Sequence, residues 1–192
     1  MSSAYHATTE FLGESATLNR GGKYEDVSNG IPELATIGGE TIGWKISDVP
    51  QLCASKSIPA CVLAKAQQQC TNGNTNSNPI HVYRVPHDDA DVDISDVSTG
   101  DFALLEEIRY NNPSESPINA EYVTTVTLPD DAYEDIELIY YLPSPHIFDE
   151  WGKHVKHAID VFIETKEYVP PEELDTDVTR PDKVEWERKL YA

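Results

Sequence analysis

Apolar and polar positions alternate over Ile80-His-Val-Tyr-Arg-Val85, the period of a strand with one buried face. Further strands are predicted at Ala4–Thr8, Val49–Ser55, Phe102–Tyr110, Glu121–Leu128 and Ile136–Leu142. Strict alternation would place Tyr122, Thr124, Val126 and Leu128 on one face. Residues 13–30 read as a polar, Gly-rich stretch. Residues 31–47 read as irregular, broken by Gly38, Gly39 and Gly43, with a short strand starting at Trp44 and Ile46.

The period changes twice. Ser57 is placed to cap a helix to about Gln69, with Pro59 tolerated in its first turn and Ile58, Cys61, Val62 and Ala66 turned to the core. From His146 to about Lys166, Phe148, Trp151, Val155, Ala158, Ile159 and Phe162 form one apolar stripe, and Pro170-Pro171 stops it. A polar tail follows, yet it carries Trp186, Leu190 and Tyr191, which suits an arm docked on its own domain or on a second copy. Arm exchange of that kind would build a homo-oligomer. Scattered strands around one early helix predict an α+β fold. Its divisions are a mixed domain over residues 1–145, an amphipathic helix packed on it over 146–169, and a C-terminal arm over 170–192.

Charge narrows the partners. The 192 residues carry 34 acidic and 14 basic side chains, a formal net charge of −20. Residues 1–150 hold 24 of the acidic groups and 7 of the basic ones, so the excess belongs to the globular part. Such a surface repels a phosphate backbone, and no basic patch offsets it, which argues against direct nucleic-acid binding. It suits a solvated face, adapted to high salt, or a basic protein partner. No run is long and apolar enough to span a membrane. The three cysteines, Cys53, Cys61 and Cys70, are odd in number and lack C-x-x-C spacing, which points to a reducing, cytoplasmic setting: a host cytoplasm or a virion.

Several candidate chemistries are weak. Asp89, Asp91 and Asp93 alternate like the start of a calcium loop, but Ile94 and Gly100 stand where Gly and Glu are required. His154 and His157, with Glu150 a turn earlier, are three apart on the second helix and read as surface histidines; no metal is expected. Cys53 lies in an apolar strand without a basic neighbour. No G-x-S-x-G elbow, Walker loop or G-x-G-x-x-G is present.

The order of four segments carries more. Tyr5-His6-Ala7-Thr8 opens the chain, and Cys53-Ala54-Ser55 leads into the first helix. Val82-Tyr83-Arg84 and Thr99-Gly100-Asp101 follow. Over residues 4–128 this order resembles small bacterial and phage proteins related to the ADP-ribosyltransferase fold. The resemblance implies a split β-sheet with a cleft for NAD, used as a substrate to modify a macromolecular target. His6 would bond the nicotinamide-side ribose, Ala7 would hold the carboxamide, and Thr8, Cys53 and Ser55 would complete the cofactor contacts. The catalytic carboxylate would be Glu121, in a Glu-Tyr-Val segment similar to the final strand of poly-ADP-ribose polymerases, or Asp101, where the family has Glu. Gln51-Leu52-Cys53-Ala54 lacks the Tyr that stacks on nicotinamide in other families. The other reading is a non-catalytic acidic interaction protein, or a virion-associated structural one, that binds a basic partner or assembles through its arm.

Overall fold

The computed structural model describes residues 3–19, 32–37, 40–46, 52–71, 78–90, 92–93, 104–110, 116–140 and 145–182. Seven antiparallel strands form one open sheet: β1 (Ser3–Thr8), β2 (Ser15–Leu18), β5 (Leu52–Ser55), β6 (Ile80–Pro86), β7 (Val92–Asp93), β8 (Glu107–Tyr110) and β9 (Ile118–Val126). Their spatial order is β2-β9-β6-β1-β5-β8-β7, so the first strand lies at the centre. β3 (Pro32–Ile37) and β4 (Glu40–Ile46) form a separate hairpin where the glycines predict irregular chain. Backbone pairing tolerates those glycines, with a register irregularity at Ala35/Thr36. β2 likewise replaces part of the expected loop, its four residues paired to Ile118–Glu121.

Helix α1 (Ile58–Thr71) forms as its sequence predicts. The Ala60 amide donates to Ser57 Oγ at 3.4 Å, and the Cys61 amide donates to the Ser57 carbonyl at 3.0 Å. α1 lies on β1, β5 and β6. Helix α2 (Asp130–Tyr140) corrects the strand expected at Ile136–Leu142. Two aspartates occupy its first turn, where the helix dipole favours them. Ala132, Tyr133, Ile136 and Ile139 recur at helical spacing and are buried. Helix α3 (Pro145–Thr165) buries Trp151, Val155, Ala158 and Ile159 against α1 and α2, as its stripe requires. Among the described residues no helix is long and apolar enough to cross a membrane. α3 ends at Lys166, whose left-handed φ of 64° turns its amide onto the Phe162 carbonyl at 2.8 Å. One helical turn, α4 (Pro171–Leu174), follows. Trp186, Leu190 and Tyr191 lie outside the described residues.

The sheet separates two apolar clusters. Ala7, Ile80, Val82 and Val126 pack with the three long helices on the helix face. Ala4, Leu52, Ala54, Tyr83, Val85, Ile108, Tyr110, Ile118 and Ala120 form a second cluster on the far face. Strict alternation fails in β9. Tyr83 pairs with Tyr122 but Val82 pairs with Thr124, leaving Val123 as an extra residue. That bulge shifts the phase, so Tyr122 joins the far-face cluster and Val126 the helix-face cluster.

Residues 166–182 return along the helices and are tied to α2. Asp135, 1% exposed, accepts from the Tyr168 hydroxyl at 2.8 Å. Its other carboxylate oxygen lies 3.0 Å from Arg180 Nη2. The Arg180 guanidinium also lies 3.7 Å from Glu134 and from Glu172. The Trp151 indole donates to the Asp135 carbonyl at 3.0 Å. Burial, offset by Tyr168 and Arg180, pushes the Asp135 carboxyl up to about 6.

Candidate functional site

The central strand β1 bonds its two neighbours very differently. Against β6 it pairs over six successive positions, Ser3 to Thr8. Against β5 it pairs only at Tyr5–Ser55. A regular ladder would next pair Ala7 with Cys53. Instead the His6 ring reaches the Cys53 carbonyl through Nδ1 at 2.7 Å. A carbonyl only accepts, so Nδ1 carries the proton. An imidazole thus occupies the place of a ladder bond, and the sheet begins to part between β1 and β5. His6 is only 7% exposed, Thr8 and Ser55 are buried, and Cys53 is half-buried. The Thr8 hydroxyl donates to the Glu10 carbonyl at 2.7 Å, which turns the chain after β1.

Register then sorts the expected site residues. Ser55 and Cys53 sit opposite Glu107 and Arg109 on β8, in the row of Tyr5 on the helix face. His6 and Thr8 point to the far face, in the rows of Tyr83 and His81. Glu121 does not join them. It lies on β9, with β6 between it and β1, and it pairs with Arg84 in the row of Tyr5. Its carboxylate is exposed and meets Arg84 Nη2 at 2.9 Å. The expected groove shared by His6 and Glu121 is therefore absent: the two side chains leave opposite faces of the sheet, and alternation enforces this. Asp101, the other expected carboxylate, lies outside the described residues.

The carboxylate beside the β1/β5 break is Glu107. It is buried, and it forms an ion pair with Arg109, also buried. Among the described residues, Nε and Nη1 of Arg109 meet no hydrogen-bond partner. Two charged groups held this far from water depend on each other, because each alone would carry the full cost of desolvation. Sequence reasoning missed the pair. The visible signal was charge at 107 and 109 alternating with Ile108 and Tyr110, which reads equally well as an ordinary solvated strand face.

The remaining candidates are quiet. The Cys61 thiol is driven well above its usual range by burial, and Cys70 is pushed up to about 11 by burial and then by Glu137, so neither supplies a thiolate near neutral pH. His154, Glu150 and Trp151 line a groove of about 300 Å³ with Asp177, Val178, Thr179 and Pro181. Among the described residues no group of three His, Cys, Asp or Glu side chains is placed to hold a metal. No family model, curated protein or solved structure matches the chain.

Proposed function

We propose that the chain is an ADP-ribosyltransferase-like protein that binds NAD at the break between β1 and β5. The observation that carries this reading is the single-pair contact of β1 with β5, filled by the His6 ring. A central strand that parts from its neighbour beside a buried histidine, threonine and serine offers polar groups to a ligand without breaking the core. The reaction asks little more: nicotinamide leaves as its glycosidic bond opens, and a carboxylate favours the positive charge that develops on the ribose. The buried carboxylate nearest the break, Glu107, lies two strands from β1 in the row of Tyr5 and Ser55, on the face opposite His6.

One observation favours the non-catalytic reading. Glu107 is already committed to Arg109, and no Asp or Glu shares the far face with His6 on β1, β5, β6, β8 or β9. Binding and chemistry are therefore tested separately. Saturating NAD should raise the melting temperature by roughly a few degrees, as a ligand well above its Kd does. His6→Ala should abolish the shift. No shift at millimolar NAD removes the NAD reading altogether. A shift without nicotinamide release in the unaltered protein leaves a binding protein on this fold.

A further inference from the structure

The segment after α3 lies on the helices with little of itself buried. Of residues 167–182, Pro171 alone is buried. Among the described residues its backbone hydrogen bonds close within the segment: the Glu173 and Leu174 amides donate to the Pro170 carbonyl, the Asp175 amide to Pro171 and the Val178 amide to Asp175. A stretch with so few buried contacts and no ladder to the rest of the fold belongs to the low end of local stability.

What fastens it converges on a single carboxylate. Tyr168, near its start, donates through its hydroxyl to Asp135 Oδ2 at 2.8 Å. Arg180, near its end, meets Asp135 Oδ1 at 3.0 Å. Glu134 on α2 and Glu172 on the segment itself each lie 3.7 Å from the same guanidinium, so three carboxylates share Arg180. Apolar cover is modest. Tyr168 stands edge-on to Phe162, with ring centres 6.4 Å apart, and Val178 packs at the margin of the helix-face cluster. Beside that contact, Asp177, Val178 and Thr179 border a groove of about 300 Å³ with Trp151 and His154 of α3.

We propose that residues 167–182 form a latch on α2 and α3, fastened near both ends to Asp135, that opens as a unit while the sheet and the three long helices stay folded. Its response to pH has a defined sign. Tyr168, Glu172 and Arg180 of the latch surround the Asp135 carboxyl, Glu134 approaches from α2, and the Trp151 indole of α3 meets the Asp135 carbonyl. In the closed form burial holds that carboxyl up at about 6. Opening returns it to water and to its ordinary value. The closed form therefore keeps a proton that the open form releases, and opening is favoured as pH rises. The ionised form also places three negative charges around one guanidinium. The latch lies on the helices and does not rest on the NAD reading.

The test is hydrogen exchange of the full chain, read as protection factors so that the intrinsic effect of pH on exchange is removed. The Glu173, Leu174, Asp175 and Val178 amides should be at least about tenfold less protected than Val155 to Ile159 of α3, and insensitive to low urea, because opening exposes little surface. Their protection should fall roughly tenfold between pH 4.5 and 6.5, as linkage to the Asp135 proton requires. Asp135→Asn should flatten that dependence. Tyr168→Phe, which keeps the ring on Phe162, should lower protection about 3- to 10-fold, the scale of one net hydrogen bond, and by the same factor at Val178 as at Glu173. The proposal is overturned if these amides are as protected as α3, which would mean that the segment leaves only with the whole fold. Protection that does not change with pH overturns it as well. So does a Tyr168→Phe effect confined to Glu173, since the two ends would then open separately.

Discussion

Arg109→Leu should destabilise the protein by about 3–5 kcal/mol, the cost of breaking a buried ion pair by removing one partner. The pair spans the first and third positions of β8, and both side chains are almost wholly removed from water. Without Arg109, Glu107 loses the guanidinium that offsets part of its burial. The double variant Glu107→Gln/Arg109→Leu should recover much of the lost stability, because an uncharged pair has far less solvation to lose. Urea unfolding of the parent, the single variant and the double variant gives all the required differences. Equal stability of the single variant and its parent would mean that the pair is solvated in solution. Glu107 would then lose its claim to a special environment.

The second large effect belongs to Asp135. Burial holds its carboxyl up at about 6 in the folded chain against an ordinary value near 3.8. The folded state therefore keeps a proton that the unfolded state releases. The sign follows from linkage. This contribution to stability is complete below about pH 4 and is lost as pH rises through 6, to a total of about 3 kcal/mol. Asp135→Asn removes the titration while keeping an acceptor for the Tyr168 hydroxyl. The variant loses the Arg180 ion pair at every pH where Asp135 is charged, which sets an offset, but its stability relative to the parent should rise between pH 4.5 and 7.5. Parallel stability curves for the two proteins would show that Arg180 and Tyr168 compensate the buried charge fully.

Elements whose signal is local were legible. α3 was readable because its stripe, Phe148 to Phe162, persists for about four turns, and α1 because a serine cap precedes it. β6 was readable because its alternation is uninterrupted. α2 was not, because Ile-Glu-Leu-Ile-Tyr-Tyr-Leu has the composition of a strand. The helical spacing becomes visible only when Ala132 and Tyr133, upstream of that run, are included. The β9 bulge has no local signature: it exists only as a mismatch of count between Val82-Tyr83 and Tyr122-Val123-Thr124. The site divides in the same way. His6 and Thr8 on the far face, and Cys53 and Ser55 on the helix face, border one break because each lies on a strand that sequence order already suggested. Glu121 was chosen for the residues beside it in sequence, but its face and its neighbouring strand are set by pairing. That pairing places it with Arg84 and leaves the position beside Ser55 to Glu107.

The central place of β1 also dictates a schedule. β1 is bonded along its whole length to β6, which ends at Pro86. At ordinary elongation rates the ribosome takes about 4–16 s to synthesise the intervening chain. Until β6 is made, Tyr5-His6-Ala7-Thr8 has only β5, finished at Ser55 and paired with it at one position, as a sheet neighbour, and its β6-facing backbone edge is free to pair with any other chain nearby. The sheet therefore assembles late and from long-range contacts, which slows folding relative to a helical protein of this length. Yield during synthesis should be limited by how long that strand waits, more than by the stability of the finished molecule.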